Sequence, residues 1–447
     1  MIYYKEFSRT TTIFGEYMKE FKVGIIGFGT VGAGVASCLL KNADVIAKRT
    51  GITPVLAGIA DLDIETDRGV VVPKELLTTD ASAMIRNVDV VVELIGGTTI
   101  AKKFILEALN AGKSVVTANK ALLAEHGEEL FAAAEKNNAD LYYEASVGGG
   151  IPIIKGLREG FSGNRISRMY GILNGTCNYI LTRMEKEEID FAPVLKDAQQ
   201  LGYAEANPSL DIDGFDTAHK ASILASLAYG KWLGMDPVYV QGIRDITLAD
   251  IKNADELGYK IKLLAIIKQS EQGEVEVRVH PAMIPKTTQL AAISGVFNGV
   301  MVTGDYVGDT LFYGRGAGRE ATASAVVGDI VDIGRNIVNK AARRIPGFME
   351  GIQYSRIKPM DEVDSRYYLR VQVLDVPGVL EKVAGILSKN GISISSMLQR
   401  EGQKHSNVTM LIITHCTKEK AIRSAIAEIN GLPDVRNSVN LIRIEDI

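Results

Sequence analysis

Cysteine is scarce in this sequence: Cys38, Cys177 and Cys416 are the three in 447 residues. They lie far apart and form no CxxC pair, which excludes a disulfide framework and fits a reducing compartment. Long apolar runs are missing as well. The longest, Val88–Gly97 and Ile261–Ile267, fall well short of the roughly 20 residues that a membrane-spanning helix needs. No basic run is present, and the net charge is −4, so the chain lacks the Lys/Arg concentration of a nucleic-acid protein. The opening residues mix Lys5, Glu6, Arg9, Glu16 and Lys19 with aromatics and lack the apolar core of a secretion signal. Residues 1–21 therefore read as a ragged extension before the first strand, and the chain as cytoplasmic. There is no low-complexity tract and no long internal repeat. The chain does have 46% hydrophobic and 23% charged residues, an ordinary globular balance. Its length exceeds what one core supports, so two or three domains are expected.

The first part alternates short apolar strands with helices. Strands are expected at Lys22–Gly27, Pro54–Asp61, Asp89–Gly97, Ser114–Ala118 and Leu141–Ala145. Helices are expected at Gly32–Lys48, Ala101–Ala111 and Ala124–Asn137. That alternation implies a Rossmann-type, doubly wound parallel α/β sheet over 22–150. After Gly148–Pro152 the rhythm changes to longer helices and mixed strands, an α+β catalytic and dimerisation domain over 151–350. A charged stretch with little periodicity, 351–366, reads as a linker. From Tyr367 the order is strand 367–374, helix 377–390, strands 391–400 and 408–415, helix 417–430, strand 434–444. This is a ferredoxin-like βαββαβ plan over 367–447.

The clearest local motif is Gly27-Phe28-Gly29-Thr30-Val31-Gly32, a GxGxxG between strand and helix. The first glycine permits a tight turn, the second lets the backbone approach a pyrophosphate, and the third lets helix and strand pack closely. The helix N-terminus, from Thr30 and Val31 on, then offers free N–H groups to the anion. Asp61 closes the second strand, where a carboxylate accepts from a ribose 2′-OH, which leans towards NAD. Arg68, seven residues on, leaves NADP open.

Two clusters carry acid–base chemistry. Thr117-Ala118-Asn119-Lys120 follows a buried strand, and the carboxyl ends of such strands face the ligand crevice. The second runs from Gly202-Tyr203-Ala204-Glu205 through Asp211 and Asp213 to Asp216-Thr217-Ala218-His219-Lys220. Asp216 and Lys220 share one face of a helix whose remainder is apolar. A lysine at the head of a buried helix needs a partner, because burying a lone charge is costly. It reads either as a structural ion pair or as a proton-transfer lysine flanked by substrate-binding carboxylates. Asn174-Gly175-Thr176-Cys177-Asn178 reads as a helix-capping turn, with Gly175 and Thr176 also placed to contact cofactor or substrate.

Seven motifs in order resemble the homoserine dehydrogenase family: GFGTVG at 27–32, VVTANK at 115–120, EASVGGGIP at 144–152, NGTCN at 174–178, GYAEANP at 202–208, DIDGFDTAHK at 211–220 and FYGRGAG at 312–318. The resemblance spans about 22–345. It implies reversible NADH- or NADPH-dependent reduction of L-aspartate 4-semialdehyde to L-homoserine, in threonine and methionine biosynthesis. It implies that Lys220 donates the proton to the carbonyl oxygen and that Lys120 is a second active-site lysine. Glu205 and Asp216, with Asp211, would hold substrate, and Gly202 and Gly318 would touch cofactor. It further implies a monovalent cation, sodium, at Glu144, Val147, Gly149 and Ile151, and a homodimer or homotetramer. The chain departs from the family's pattern at Cys177, where threonine is usual, at Ala321, where a proline is usual, and at Ala60, where a basic residue is frequent. The last departure puts NADP preference in doubt.

The segment 367–447 resembles an ACT domain. The resemblance rests on Asp375-Val376-Pro377-Gly378 before its first helix and Lys389-Asn390-Gly391-Ile392 before its second strand. It implies an amino-acid effector, L-threonine by pathway logic, bound near Asp375, Gly378, Asn390 and Ile392. Two rivals remain at this stage. One is aspartate-semialdehyde dehydrogenase, which needs a nucleophilic cysteine, here Cys177. The other is a non-catalytic amino-acid sensor, against which the complete Lys120, Glu205, Asp216 and Lys220 set argues.

Overall fold

A computed structural model describes residues 19–351, 354–399 and 407–447. The chain forms two compact units: one runs to Glu159 and regains Ala317–Met349, the other comprises Gly160–Gly316 and Glu350–Ile447. Among the described residues no helix is long and apolar enough to cross a membrane.

In the first unit the strands are β1 (Lys19–Ile26), β2 (Ile52–Ala60), β3 (Leu77–Thr78), β4 (Val90–Glu93), β5 (Ser114–Thr117) and β6 (Leu141–Tyr142). They pair in parallel in the order β3-β2-β1-β4-β5-β6. That order reverses direction between β1 and β4, the switch point at which open α/β sheets bind ligands. Val23, Ile25, Val90, Val92 and Val116 are buried, as strands covered on both faces require. The helix Arg319–Val338, far beyond β6 in the chain, returns to this sheet and adds Ala323, Val326, Ile330 and Ile333 to its core.

Several boundaries differ from those expected. Lys19–Phe21 belong to β1, and residues 1–18 of the expected extension lie outside the described residues. The helix expected over 32–48 is two helices, Thr30–Lys41 and Ala43–Thr50. Asn42 breaks it: its backbone N–H still bonds Cys38, but its φ of −107° and ψ of 16° leave the helical region. The strand expected over 89–97 stops at Glu93, because that carboxylate takes the N–H of Ile95 and Gly96 and Gly97 adopt positive φ.

The second unit carries β7 (Ile166–Ile172), β8 (Tyr239–Val240), β9 (Tyr259–Gln269), β10 (Glu274–Pro285), β11 (Phe297–Gly304) and β12 (Gly308–Arg315). Beyond these come β13 (Arg356–Ile357), β14 (Asp364–Leu374), β15 (Ile394–Gln399), β16 (Asn407–Thr414), β17 (Thr417–Lys418) and β18 (Asn440–Ile444). The main sheet runs β12-β11-β7-β9-β10-β18-β14-β16-β15. Its last four strands, with helices Val379–Lys389 and Glu419–Asn430, are the ferredoxin-like βαββαβ module, with its own apolar core around Leu369, Val383, Ile412 and Ile422. The module is joined edge to edge: β18 runs parallel to β10, with Ala282 opposite Arg443 and Met283 opposite Ile444.

Buried charge seals this junction. Arg443 donates to both carboxylate oxygens of Glu419, Arg278 donates to Glu445 at 2.7 Å, and Lys268 donates to the other oxygen of Glu445 at 2.8 Å. Burial pushes the Glu419 carboxyl up, but the hydrogen bonds and charge of Arg443 outweigh it and hold the group below its usual range. Its stabilising effect is therefore present at neutral pH and lost as pH falls through that lowered value. Glu419→Ala leaves Arg443 buried and uncompensated, so we expect a loss of about 3–5 kcal/mol in urea denaturation. A loss below about 1 kcal/mol would show that the pair contributes no more than a surface bridge.

Candidate functional site

The glycine turn after β1 is built as the motif requires. Gly27 has a φ of +101° and donates its N–H to Ala60 at 2.8 Å, tying β1 to β2. A Cβ on Gly32 would lie 1.9 Å from the Gly27 carbonyl oxygen, so only glycine lets helix Thr30–Lys41 start this close. A Cβ on Gly29 would meet no protein atom within 4 Å. Packing inside the protein therefore does not explain that glycine, whereas a ligand lying against the backbone does. No side chain caps this helix, and Thr30 and Val31 open its first turn. The site thus fits a dinucleotide pyrophosphate.

Asp61 lies at the end of β2. One carboxylate oxygen accepts the N–H of Phe28 at 2.5 Å and the other that of Asp63 at 2.9 Å. Its first role is to hold the glycine turn. Arg68 donates to Asp63 at 2.9 Å rather than to Asp61. Gly318, at the head of helix Arg319–Val338, has a φ of +119° and open space where a Cβ would stand.

At the carboxyl ends of β4 and β5 a second network forms. Glu93, fully buried, accepts from Thr117 Oγ1 at 2.7 Å and from Ile95 N at 2.9 Å, and burial pushes its carboxyl up. Thr117 Oγ1 also accepts the N–H of Asn119 at 3.0 Å. Asn119 caps the helix Lys120–Lys136 and donates to Gly97 at 2.6 Å. Lys120 is the first residue of that helix, half-buried where the strands end. Glu93 was missed from sequence; a carboxylate inside the apolar run Val90–Leu94 was the available signal.

In the second unit, Asp211, Asp216 and Lys220 come together. Lys220 Nζ donates to Asp216 Oδ2 at 2.7 Å and to the Leu173 carbonyl at 2.7 Å. Asn174 Nδ2 donates to Asp211 Oδ1 at 2.7 Å and to the same Asp216 oxygen at 2.8 Å. Burial, then the neighbouring Asp216, pushes the Asp211 carboxyl up. Asp213 turns aside to pair with Arg244. Gly175 begins the helix Gly175–Glu187, and Thr176 donates to the Tyr203 carbonyl at 2.7 Å, linking the NGT turn to the 202–205 loop. In that loop Gly202 has a φ of +75° and Glu205 is exposed. Among the described residues no ion pair joins the Glu205 side chain to the Asp211–Lys220 cluster. Cys177 is fully buried, donates to the Asp211 carbonyl at 3.2 Å, and has its thiol pushed well up by burial, then by Asp211. A thiol so placed is no nucleophile, which removes the acyl-transfer rival.

The expected cation ligands lie in a buried turn of the first unit. Gly148 and Gly149 both have positive φ, and the Ile151 carbonyl accepts the N–H of Ile153 at 2.8 Å. Glu144 accepts from Ile154 N at 2.9 Å and Lys155 N at 2.7 Å; burial pushes its carboxyl up to about 7. Among the described residues no cluster of three or more His, Cys, Asp or Glu side chains is arranged to hold a metal ion. In the ferredoxin-like module, Asp375 and Gly378 line a cleft of about 420 Å³ with Val376, Leu380, Gln399 and Met410. Asn390 and Ile392 are outside that lining: Asn390 donates to Ile386 and Glu428 at the far end of helix Val379–Lys389, and Ile392 is core.

Comparison with known proteins follows this geometry. Residues 152–331 match the profile of homoserine dehydrogenase and 27–144 that of its NAD binding domain. The homoserine dehydrogenase of Neisseria gonorrhoeae is 46% identical over 435 residues, which cover 96% of this chain and 100% of that protein. The chain belongs to the homoserine dehydrogenase family. The Pseudomonas aeruginosa relative is also 46% identical, over 438 residues, 96% of this chain and 100% of its own. The solved homoserine dehydrogenase of Thiobacillus denitrificans has a TM-score of 0.90 at 43% identity, covering 96% of this chain and 99% of that one. A hyperthermophilic archaeal homoserine dehydrogenase in complex with NADPH has a TM-score of 0.59 at 27% identity, over 70% of this chain and 97% of that one. Residues 367–434 match the ACT domain. The chain is thus an NAD(P)-dependent oxidoreductase of this family with a C-terminal ACT domain.

Gly29 and Gly32 should respond differently to one methyl group. Gly29→Ala should keep the melting temperature and raise cofactor KM roughly tenfold, by impeding backbone contact with the ligand. Gly32→Ala should lower both melting temperature and cofactor binding. Equal effects of the two changes on stability would contradict these separate roles.

Proposed function

We propose that this chain reversibly reduces L-aspartate 4-semialdehyde to L-homoserine, with Lys220 as the proton donor. The observation that carries this reading is the buried Lys220 ammonium, held by Asp216 and the Leu173 carbonyl beside the NGT turn. The nicotinamide cofactor, when bound, supplies or accepts the hydride. Hydride delivery puts negative charge on the carbonyl oxygen, and an adjacent ammonium stabilises that charge and then gives up its proton. In the reverse direction the neutral amine takes the proton back from the alcohol. Asp216 keeps the ammonium aimed, while Asp211, Glu205, Gly175 and Thr176 hold substrate, the carboxylates suiting its amino group. Lys120 serves as a second active-site lysine; its place at the end of β5 supports that role.

The proposed cofactor residues are Gly27, Gly29, Thr30, Val31, Gly32, Asp61, Lys120, Gly202 and Gly318. Ligation of sodium by Glu144 and the carbonyls of Val147, Gly149 and Ile151 belongs to the same reading. It is supported by two adjacent buried carboxylates, since Asp329 accepts the Glu144 N–H at 2.8 Å and its own carboxyl is pushed well up by burial, then by Glu144. The proposed domains are 22–150 for cofactor, 151–350 for substrate and dimerisation, 351–366 as linker, and 367–447 for regulation by L-threonine. The cleft at Asp375 and Gly378 supports the effector assignment, and β12 and β15, the edge strands of the main sheet among the described residues, support a dimer or tetramer. Work in the cytoplasm, on the threonine and methionine branch, completes the reading.

The test is initial-rate oxidation of L-homoserine with NAD⁺ and NADP⁺ separately, with and without L-threonine. Reduced-cofactor production supports the activity, its cofactor ratio reads the balance between Asp61 and Arg68, and unchanged rates across millimolar threonine would sink the effector assignment. Lys220→Ala should lower kcat by about 10²–10⁴-fold while cofactor KM stays near that of the unaltered protein. Normal turnover with weakened cofactor binding would overturn the role given to Lys220.

A further inference from the structure

The side chain of Asn174 is 5% exposed and every polar atom on it is committed. Its Oδ1 accepts the N–H of Cys177 at 2.8 Å, which caps the helix Gly175–Glu187. That bond fixes which way the amide faces, since the carbonyl end has to meet the N–H. The two amide hydrogens then point at two different carboxylates, Asp211 Oδ1 and Asp216 Oδ2. Asp216 Oδ2 is also the oxygen that Lys220 Nζ donates to, and the second bond of Nζ goes to the carbonyl of Leu173, the residue just before Asn174. One dipeptide, Leu173-Asn174, thus grips the ammonium through its backbone and the paired carboxylates through its side chain.

We infer that Asn174 is a positioning residue for the reaction: its amide bridges the Asp211 and Asp216 carboxylates and so sets the charge and the aim of the group that faces Lys220. This rests on the reading of Lys220 as proton donor. The physical need is clear. Two acids in adjoining positions on a largely buried wall repel each other, and without a shared donor one of them takes up a proton. The charged and titratable groups around the pair are Lys220, the buried Cys177 thiol, Asp213 with its partner Arg244, and His219 on the helix of Asp216 and Lys220. Lys220 compensates one carboxylate, and Arg244 is taken by Asp213. The Asn174 hydrogen bond is one of the influences that lower the Asp211 carboxyl against burial and Asp216. Deleting it removes that lowering influence from Asp211.

Capping and bridging are separable, because serine caps helices well but cannot span two carboxylates. The experiment uses the full chain with Asn174→Ser and Asn174→Ala, and follows aldehyde reduction across pH alongside melting temperature and cofactor KM. Both variants should lose about tenfold or more in kcat. The acid limb of kcat/KM should move up by about one pH unit, because Asp211 must be ionised and without the Asn174 bond protonates at higher pH. Asn174→Ser should keep its melting temperature and cofactor KM. A serine variant with unaltered kcat and limb would leave Asn174 a cap only and overturn the proposal, and so would a loss of kcat with an unmoved limb. Lys220→Ala run in parallel separates the two readings: full turnover there refutes the proton-donor role itself, whatever the Asn174 variants do.

Discussion

An ion taken out of water must find a compensating partner, and the folded chain meets this demand at the Asp216–Lys220 pair and at the ACT-domain junction alike. Lys220 is nearly sealed from solvent, and an ammonium taken out of water is costly unless it is paired. Asp216, the Leu173 carbonyl and the helix that carries both charged residues make the position tenable. The same arrangement is what proton transfer needs. A lysine that is held still, shielded from bulk water and next to an acid stabilises developing negative charge far better than one on a mobile surface stem. On the proposed reading, structural cost and chemical use are two aspects of one interaction. This is why the either-or posed by sequence, a structural pair or a proton-transfer lysine, has no sharp boundary here.

The ACT domain depends on the same constraint. A module hung on a linker would keep its polar edge in water. Here β18 instead continues the neighbouring sheet through β10, and buried charges pair along the seam, Arg278 with Glu445 across it and Arg443 with Glu419 on the module's side. Asp250, fully buried, accepts from Arg370 on β14 at 2.7 Å and from Asn440 at the start of β18 at 2.7 Å. A short stretch of chain before it is bonded to the turn that carries Asp211 and Asp213. The Ile243 N–H donates to Ile212 at 2.8 Å, and Arg244 pairs with Asp213. A seam of paired buried charges resists small adjustments but has few ways to give, because moving any one member strands its partner. Such a seam joins the module's strands to the turn that carries Asp211 and Asp213 within one compact unit.

How much of this was legible beforehand depended on the range of the interactions involved. The glycine turn was readable because its constraints are local: Gly27, Gly29 and Gly32 act within six residues, and strand, turn and helix follow each other in sequence. The Asp216–Lys220 pair was readable because helical spacing alone puts the two on one face. The return of helix Arg319–Val338 to the first sheet was not, since nothing in a 20-residue amphipathic pattern states which core it covers. Asn174 was read as a cap, which it is, but its bonds to Asp211 and Asp216 span 37 and 42 residues and leave no trace in spacing. Glu93 stayed hidden for a related reason. A carboxylate in an apolar run looks like a strand end, and only Thr117 from the adjacent strand shows it to be a buried organiser.

Asp61 illustrates how far a motif can mislead about the order of causes. The usual inference assigns an acid at the end of the second strand to the ribose. In this chain both of its oxygens are already met by backbone N–H groups, from Phe28 in the glycine turn and from Asp63 in its own loop. A carboxylate oxygen has two lone pairs, so each can still accept from a ribose hydroxyl. The first duty of Asp61 is nonetheless architectural, because it holds the middle of the turn against the end of β2. Its carboxylate therefore stays against the glycine turn at the end of β2. On the proposed cofactor reading, a 2′-phosphate beside Asp61 would meet that carboxylate at close range, with Arg68 turned to Asp63. Cofactor choice on that reading depends on whether Arg68 exchanges one carboxylate for a phosphate, a trade whose energy depends on charge and solvation rather than on any further change in the fold.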